Sequence, residues 1–211
     1  MIHKLLLGFF LLFFTVIFSQ ENKPSKKWLR IGLLYGYSSQ NTVLKQDSDY
    51  AYENNSIKLS SHFNLSKKRN HVWELIVEPS YYRSKHKLIN YWFISHTVAN
   101  GDELRAKFMP LKTMNEYVLN LGVNYRYYIN PKTSIYALAN VGPMYIDTET
   151  ERLKKGFAFS DIFALGTNYK INKISIDLKC FIRHVSNANL QKPNFGYNAV
   201  GFEVGTYYEF N

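Results

Sequence analysis

His184 and Ser186 stand two residues apart at the end of a segment whose alternate positions read Ile174, Ile176, Leu178, Cys180, Ile182, His184, Ser186. The other parity reads Ser175, Asp177, Lys179, Phe181, Arg183, so one face of this strand is apolar and the other mostly polar. In an extended chain, residues i and i+2 share a face with Cα atoms roughly 6.5 Å apart. An imidazole at that range can take the proton of a serine hydroxyl, which is too weak a nucleophile to open an ester unaided. The chemistry on offer is acyl transfer, carried out on an apolar face.

The elements that must hold this pair are strands. Eight segments alternate with period two, marked by the apolar sets Ile31–Tyr37, Ile57–Leu65, Trp73–Tyr81, Tyr117–Tyr127, Ile135–Val141, Phe157–Tyr169, Ile174–Ser186 and Val200–Phe210. Asp161 interrupts the sixth apolar row. The opposite parities carry Arg30, Glu74, Glu78, Glu116, Asn120, Asn124, Arg126, Asn140, Asp177, Lys179, Arg183, Glu203 and Glu209. Paired charges inside and aromatic and aliphatic residues outside are the pattern of a transmembrane β-barrel. Alternation alone also fits a secreted β-sandwich, and the connections decide between them. Long polar links near 39–55, 85–113, 147–156 and 187–196 alternate with short ones at 67–70, 130–132 and 170–173. Such a rhythm predicts an all-β fold, an eight-stranded antiparallel barrel of the outer membrane with periplasmic turns and extracellular loops. Segment 88–97 is read as an extension of the third strand or structure within its loop, and Pro143 as the site of a bulge.

Residues 1–19 place Lys4 before an apolar run from Leu5 to Phe18, which reads as a signal peptide, leaving 20–211 as one domain. The single cysteine, Cys180, excludes an internal disulfide. The net charge of +10 falls to about +9 once Lys4 is removed. Export and the lack of a clustered basic segment disfavour nucleic acid as a partner. Arg83, Lys85, Lys87, Arg105, Lys107, Lys112, Arg152, Lys154, Lys155 and Lys192 fall in or near the long loops, where they could meet phosphates, although solvated loop charge is the better reading of any one of them. His62, His71, His86 and His96 have no metal-ligand spacing and read as interfacial or loop residues, so no metal and no cofactor is expected. An eight-stranded interior is filled by side chains, which argues against conduction.

This topology sends the seventh strand outward, so His184 and Ser186 face the outer leaflet near the cell exterior. In a Gram-negative outer membrane that leaflet is lipopolysaccharide, whose lipid A carries ester-linked acyl chains. The run from Phe181 to Asn198, with His184-Val-Ser186-Asn187 leading to Pro193-Asn194-Phe-Gly196, resembles the signature of the lipid A 3-O-deacylases, outer-membrane esterases of the PagL type. The resemblance is sharpest over 180–202. It implies His184 as general base, Ser186 as nucleophile, and Asn187 with the backbone N–H of Asn189 as the oxyanion hole. It also implies an acidic residue fourteen positions after the histidine, where this chain has Asn198. Parity sets Asn198 on the lipid face beside the pair, whereas Glu203 has the charge but points into the barrel. Asparagine can accept the imidazole N–H but stabilises the imidazolium less than a carboxylate. The expected function is therefore a serine esterase that removes an acyl chain from lipid A, with reduced or altered activity. A reading of another class is a non-catalytic barrel that binds lipopolysaccharide or serves adhesion or membrane integrity.

Overall fold

The period-two segments become eight strands in the structure, a computed structural model that describes residues 28–40 and 48–210. They are β1 (Trp28–Ser39), β2 (Tyr50–Lys68), β3 (His71–Leu88), β4 (Lys112–Tyr128), β5 (Thr133–Ile146), β6 (Gly156–Ile171), β7 (Ile174–Ser186) and β8 (Tyr197–Glu209). Each is antiparallel to its neighbours, and β8 pairs back onto β1 through Leu33↔Thr206 and Tyr37↔Phe202 to close the barrel. Closure leaves no strand edge unpaired, the condition a sheet must meet to cross a membrane. The expected signal peptide lies outside the described residues.

Short turns gather at one end and long connections at the other. Two of the turns use left-handed residues, Arg69 at φ 52° and Asn172 at φ 57°, which lets two-residue links reverse the chain in step with the strand twist. Both β2 and β3, at 19 and 18 residues, exceed the roughly 9–11 needed to span a bilayer.

Every polar residue that parity assigned to the interior is buried. Those charges are also paired. Glu74 receives Arg126 Nε at 2.8 Å, Asn124 Nδ2 at 2.6 Å and Arg30 Nη2 at 3.3 Å, while Lys58 and Lys179 approach Glu203 at 2.6 and 2.7 Å. Outside, Leu33, Ile57, Phe163, Leu165, Leu178, Ile182 and Phe202 stand exposed, an apolar surface that matches hydrocarbon.

Three expectations need correcting, and segment 88–97 takes the second of its two readings, structure within the loop: β3 ends at Leu88, Tyr91–Phe93 form a 3₁₀ turn, and a short helix follows, α1 (Gly101–Phe108). Phe108 packs with Leu88 and Ile94 to make a small satellite core above the barrel. Pro143 sits in unbroken register opposite Phe159, without a bulge; the shifts in register lie instead at Trp28/Arg30 and Asn64/Ser66. His62 and His86 are buried inside the barrel rather than interfacial, with His62 Nδ1 2.7 Å from Glu74 and His86 Nε2 2.9 Å from Glu151. Arg105 and Arg152 are buried too. The first donates to Asp102, Tyr91 O and Ile94 O, and the second lies over the Tyr50 ring, so neither is a free loop cation.

Arg183 illustrates what the interior demands, because its Nη2 stands 2.8 Å from Glu116 with both side chains fully enclosed. Replacing Arg183 with Met leaves that carboxylate unpaired, and the barrel should lose about 3–5 kcal/mol of stability. Urea unfolding in detergent, followed by heat-modifiable gel migration, measures it; Ile182→Ala on the lipid face should cost far less.

Candidate active site

The outward aim of His184 is set by its neighbour. Arg183 turns inward, where Nε donates to Ser160 Oγ at 2.8 Å and the guanidinium lies 3.7 Å from the Tyr82 ring centroid. Strand pleating then forces His184 to the opposite face. Ser186 follows on the same side, as the last residue of β7 and at the long-loop end. Register supplies the lateral neighbours: His184 lies between Asp161 of β6 and Asn198 of β8, and Ser186 lies opposite Phe159.

Asn198 meets the histidine directly. Its Oδ1 is 2.8 Å from His184 Nδ1. An amide oxygen can only accept, so Nδ1 carries the proton and Nε2 is left as the bare, basic nitrogen. No hydrogen bond joins His184 to Ser186 among the described residues. Glu203 points into the barrel, held by Lys58 and Lys179, as its parity requires.

Beyond Ser186 the chain turns inward. Asn187 is buried, and its Nδ2 donates to Gln191 O at 2.8 Å and Pro193 O at 3.3 Å. Those donors are spent on the loop's own carbonyls. Ala188 and Asn189 are both left-handed, at φ 52° and 62°, and their N–H groups make no hydrogen bond among the described residues. The Asn189 side chain accepts from Asn194 Nδ2 at 3.2 Å, while Asn194 Oδ1 accepts the Asn187 N–H at 2.8 Å.

This loop is gripped at the barrel mouth by segment 147–155, the connection between β5 and β6. Arg152 Nε donates to Gly196 O at 2.7 Å, Phe195 N donates to Arg152 O at 2.9 Å, and Leu153 bridges to Asn194. The segment is itself anchored: Glu151 bonds His86, and Thr150 hydrogen-bonds the Tyr197 hydroxyl. Glu149 accepts from Lys107 at 2.8 Å, a hydrogen bond that holds its carboxyl below the usual glutamate range. Sequence reasoning missed Thr150 and Glu151 and read Arg152 only as a loop cation, because nothing local marks a contact made across more than forty residues. No cluster of three or more potential metal ligands occurs among the described residues.

A closed eight-stranded barrel with a histidine and a serine side by side on its apolar face defines a class, the barrel proteins of the outer membrane. The chain matches the family model for lipid A 3-O-deacylase (PagL) over residues 78–207. It belongs to that family. Among solved structures it is similar to the outer membrane enzyme PagL, with TM-score 0.55 and 12% identity over 83% of this chain and 97% of that one. It is also similar to Neisserial surface protein A (NspA), with TM-score 0.50 and 11% identity over 86% and 97% of the two chains. At such identities the likeness speaks for the fold alone. No curated protein sequence matches the chain.

Gly196 sits at φ +66°, and a Cβ there would fall 2.4 Å from Val185 O. Gly196→Ala should therefore push the loop away from β7 and speed hydrogen exchange at the Phe195 amide, lowering the thermal midpoint by a few degrees. Exchange mass spectrometry in detergent reads the first effect and calorimetry the second; an unchanged loop would contradict the tight packing.

Proposed function

We propose that this protein is an outer-membrane serine esterase that hydrolyses an ester-linked acyl chain of lipid A, the 3-O-linked chain by family likeness. The observation that carries the reading is the His184–Asn198 contact, which leaves Nε2 basic on the same lipid-facing edge as Ser186. With residues 1–19 as export signal and short turns in the periplasm, the long-loop end lies at the cell surface. His184 and Ser186 then meet the outer leaflet at the depth of the lipid A ester bonds.

Ser186 Oγ attacks the ester carbonyl carbon while His184 Nε2 takes its proton. The tetrahedral oxyanion collapses, the carbon–oxygen bond to the sugar breaks, and the sugar hydroxyl leaves with the proton returned by His184. Water then attacks the acyl-enzyme, again losing its proton to Nε2, and the fatty acid departs as Ser186 recovers its hydrogen. The His184–Ser186 hydrogen bond forms when substrate closes the site. Asn198 keeps the imidazole in the productive tautomer. The backbone N–H groups of Ala188 and Asn189 are the donors left for the oxyanion, and Asn187 shapes the turn that presents them. Arg83, Lys87, Lys154, Lys155 and Lys192 at the same end supply charge for lipid A phosphates. The reading as a non-catalytic lipopolysaccharide-binding barrel draws on one observation, the neutral Asn198 where the family signature implies an acid.

Mass spectrometry of lipid A from cells expressing the protein separates the two. Wild type should remove one hydroxyacyl chain, and Ser186→Ala should remove none, its rate falling by about 10⁴-fold or more; identical spectra from both would falsify the esterase. Asn198→Glu should hydrolyse as fast as wild type or faster, and Asn198→Ala about 10²-fold slower, in an assay on purified lipid A.

A further inference from the structure

Asp161 is the one carboxylate that interrupts the outward row of β6, set between Phe159 and Phe163. A charge on the lipid face of a barrel is costly, and such residues persist where they have a task. Asp161 has no hydrogen bond and no ion pair among the described residues. Its cross-strand neighbours are Val141 on β5 and His184 on β7. Directly opposed residues of an antiparallel pair hold their Cβ atoms about 4.5–5.5 Å apart, close enough for a carboxylate to act on an imidazole.

We infer that Asp161 is a positioning residue for His184, supplying from β6 the negative charge that Asn198 lacks on β8. The inference rests on the esterase reading and deepens it. The two flanks of the histidine then divide one task. Asn198 accepts the Nδ1 proton and fixes the ring, while Asp161 stabilises the imidazolium that forms as Ser186 gives up its proton. Among the described residues the ring has no ion pair, and from β8 it meets Asn198, with Gly196 so close that an added Cβ would lie 3.5 Å from Cε1. The nearby cations are turned away, Arg183 onto Glu116 and Arg152 onto Gly196 O. His184 is thus flanked by one carboxyl group, that of Asp161, in a medium that screens charge poorly.

The sign of the effect follows. An adjacent carboxylate favours protonated imidazole, so Asp161→Asn should lower the His184 midpoint by about one pH unit. Two measurements test this. In detergent-solubilised Ser186→Ala protein, NMR titration of the His184 ring should show the lower midpoint when Asp161 is changed to Asn; equal midpoints overturn the inference whatever the activity. On purified lipid A, Asp161→Asn should reduce kcat about 10–100-fold and move the acidic limb of the pH–rate profile to lower pH, with KM little changed. Adding Asn198→Glu should recover most of that loss, since the charge returns from the other strand. Failure of rescue with an unshifted pH profile overturns the inference. Wild-type protein that never hydrolyses lipid A, yet shows the NMR shift, defeats the esterase reading while the Asp161–His184 pairing stands.

Discussion

Paired charge in the lumen is the constraint from which the rest of this structure follows. A strand in a closed barrel makes one binary choice, which parity faces in. Burying Glu74, Glu78, Glu116 and Glu203 is tolerable only because Arg30, Lys58, Arg126, Lys179 and Arg183 arrive from other strands to meet them. Each ion alone in a low-dielectric interior costs several kcal/mol, so a one-residue slip of any strand would strand charges on both faces at once. Register, parity and closure are therefore fixed together. The outward face of β7 inherits this decision: His184 and Ser186 face outward because Arg183 is committed to Glu116.

The same interior reaches up to organise the long-loop end. Segment 147–155 folds over the barrel mouth, and Leu153 joins the apolar cluster of Tyr52, Tyr82, Met144 and Tyr197. Its polar residues finish the job, with Glu151 on His86 and Arg152 bridging Tyr50 to the backbone at Gly196. The turn that follows Ser186 is consequently held by buried hydrogen bonds from behind.

Much of this was legible in the residues themselves, and the boundary is physical. Period-two alternation reports which way each side chain faces, so the eight strands, the charged lumen, the inward Glu203 and the outward His184, Ser186 and Asn198 could all be read. Alternation does not report partners. His62 and His86 seemed interfacial because their carboxylates, Glu74 and Glu151, come from other parts of the chain. Arg105 and Arg152 looked like solvated loop cations because loops carry no parity from which burial could be inferred. Helix α1 has only Leu104 and Phe108 to mark its face, too few for a period to emerge from eight residues.

A β-sheet gives each residue two lateral neighbours, and this limits what can reach the outward-facing His184. A soluble protease surrounds its histidine with groups drawn from many directions; here only the flanking strands and the adjoining loop can reach the ring. The register makes both β6 and β8 direct neighbours of His184, one pairing Asp161 with it and the other Asn198. Only one flank can hold Nδ1 in line, and Asn198 does so at 2.8 Å. Charge is less demanding than alignment, because Coulomb attraction in a poorly screened medium falls off slowly and tolerates a range of angles. Orientation and electrostatics can thus be separated onto opposite strands without moving the backbone. An asparagine at position 198 is compatible with an active site for that reason, provided the second strand retains its carboxylate.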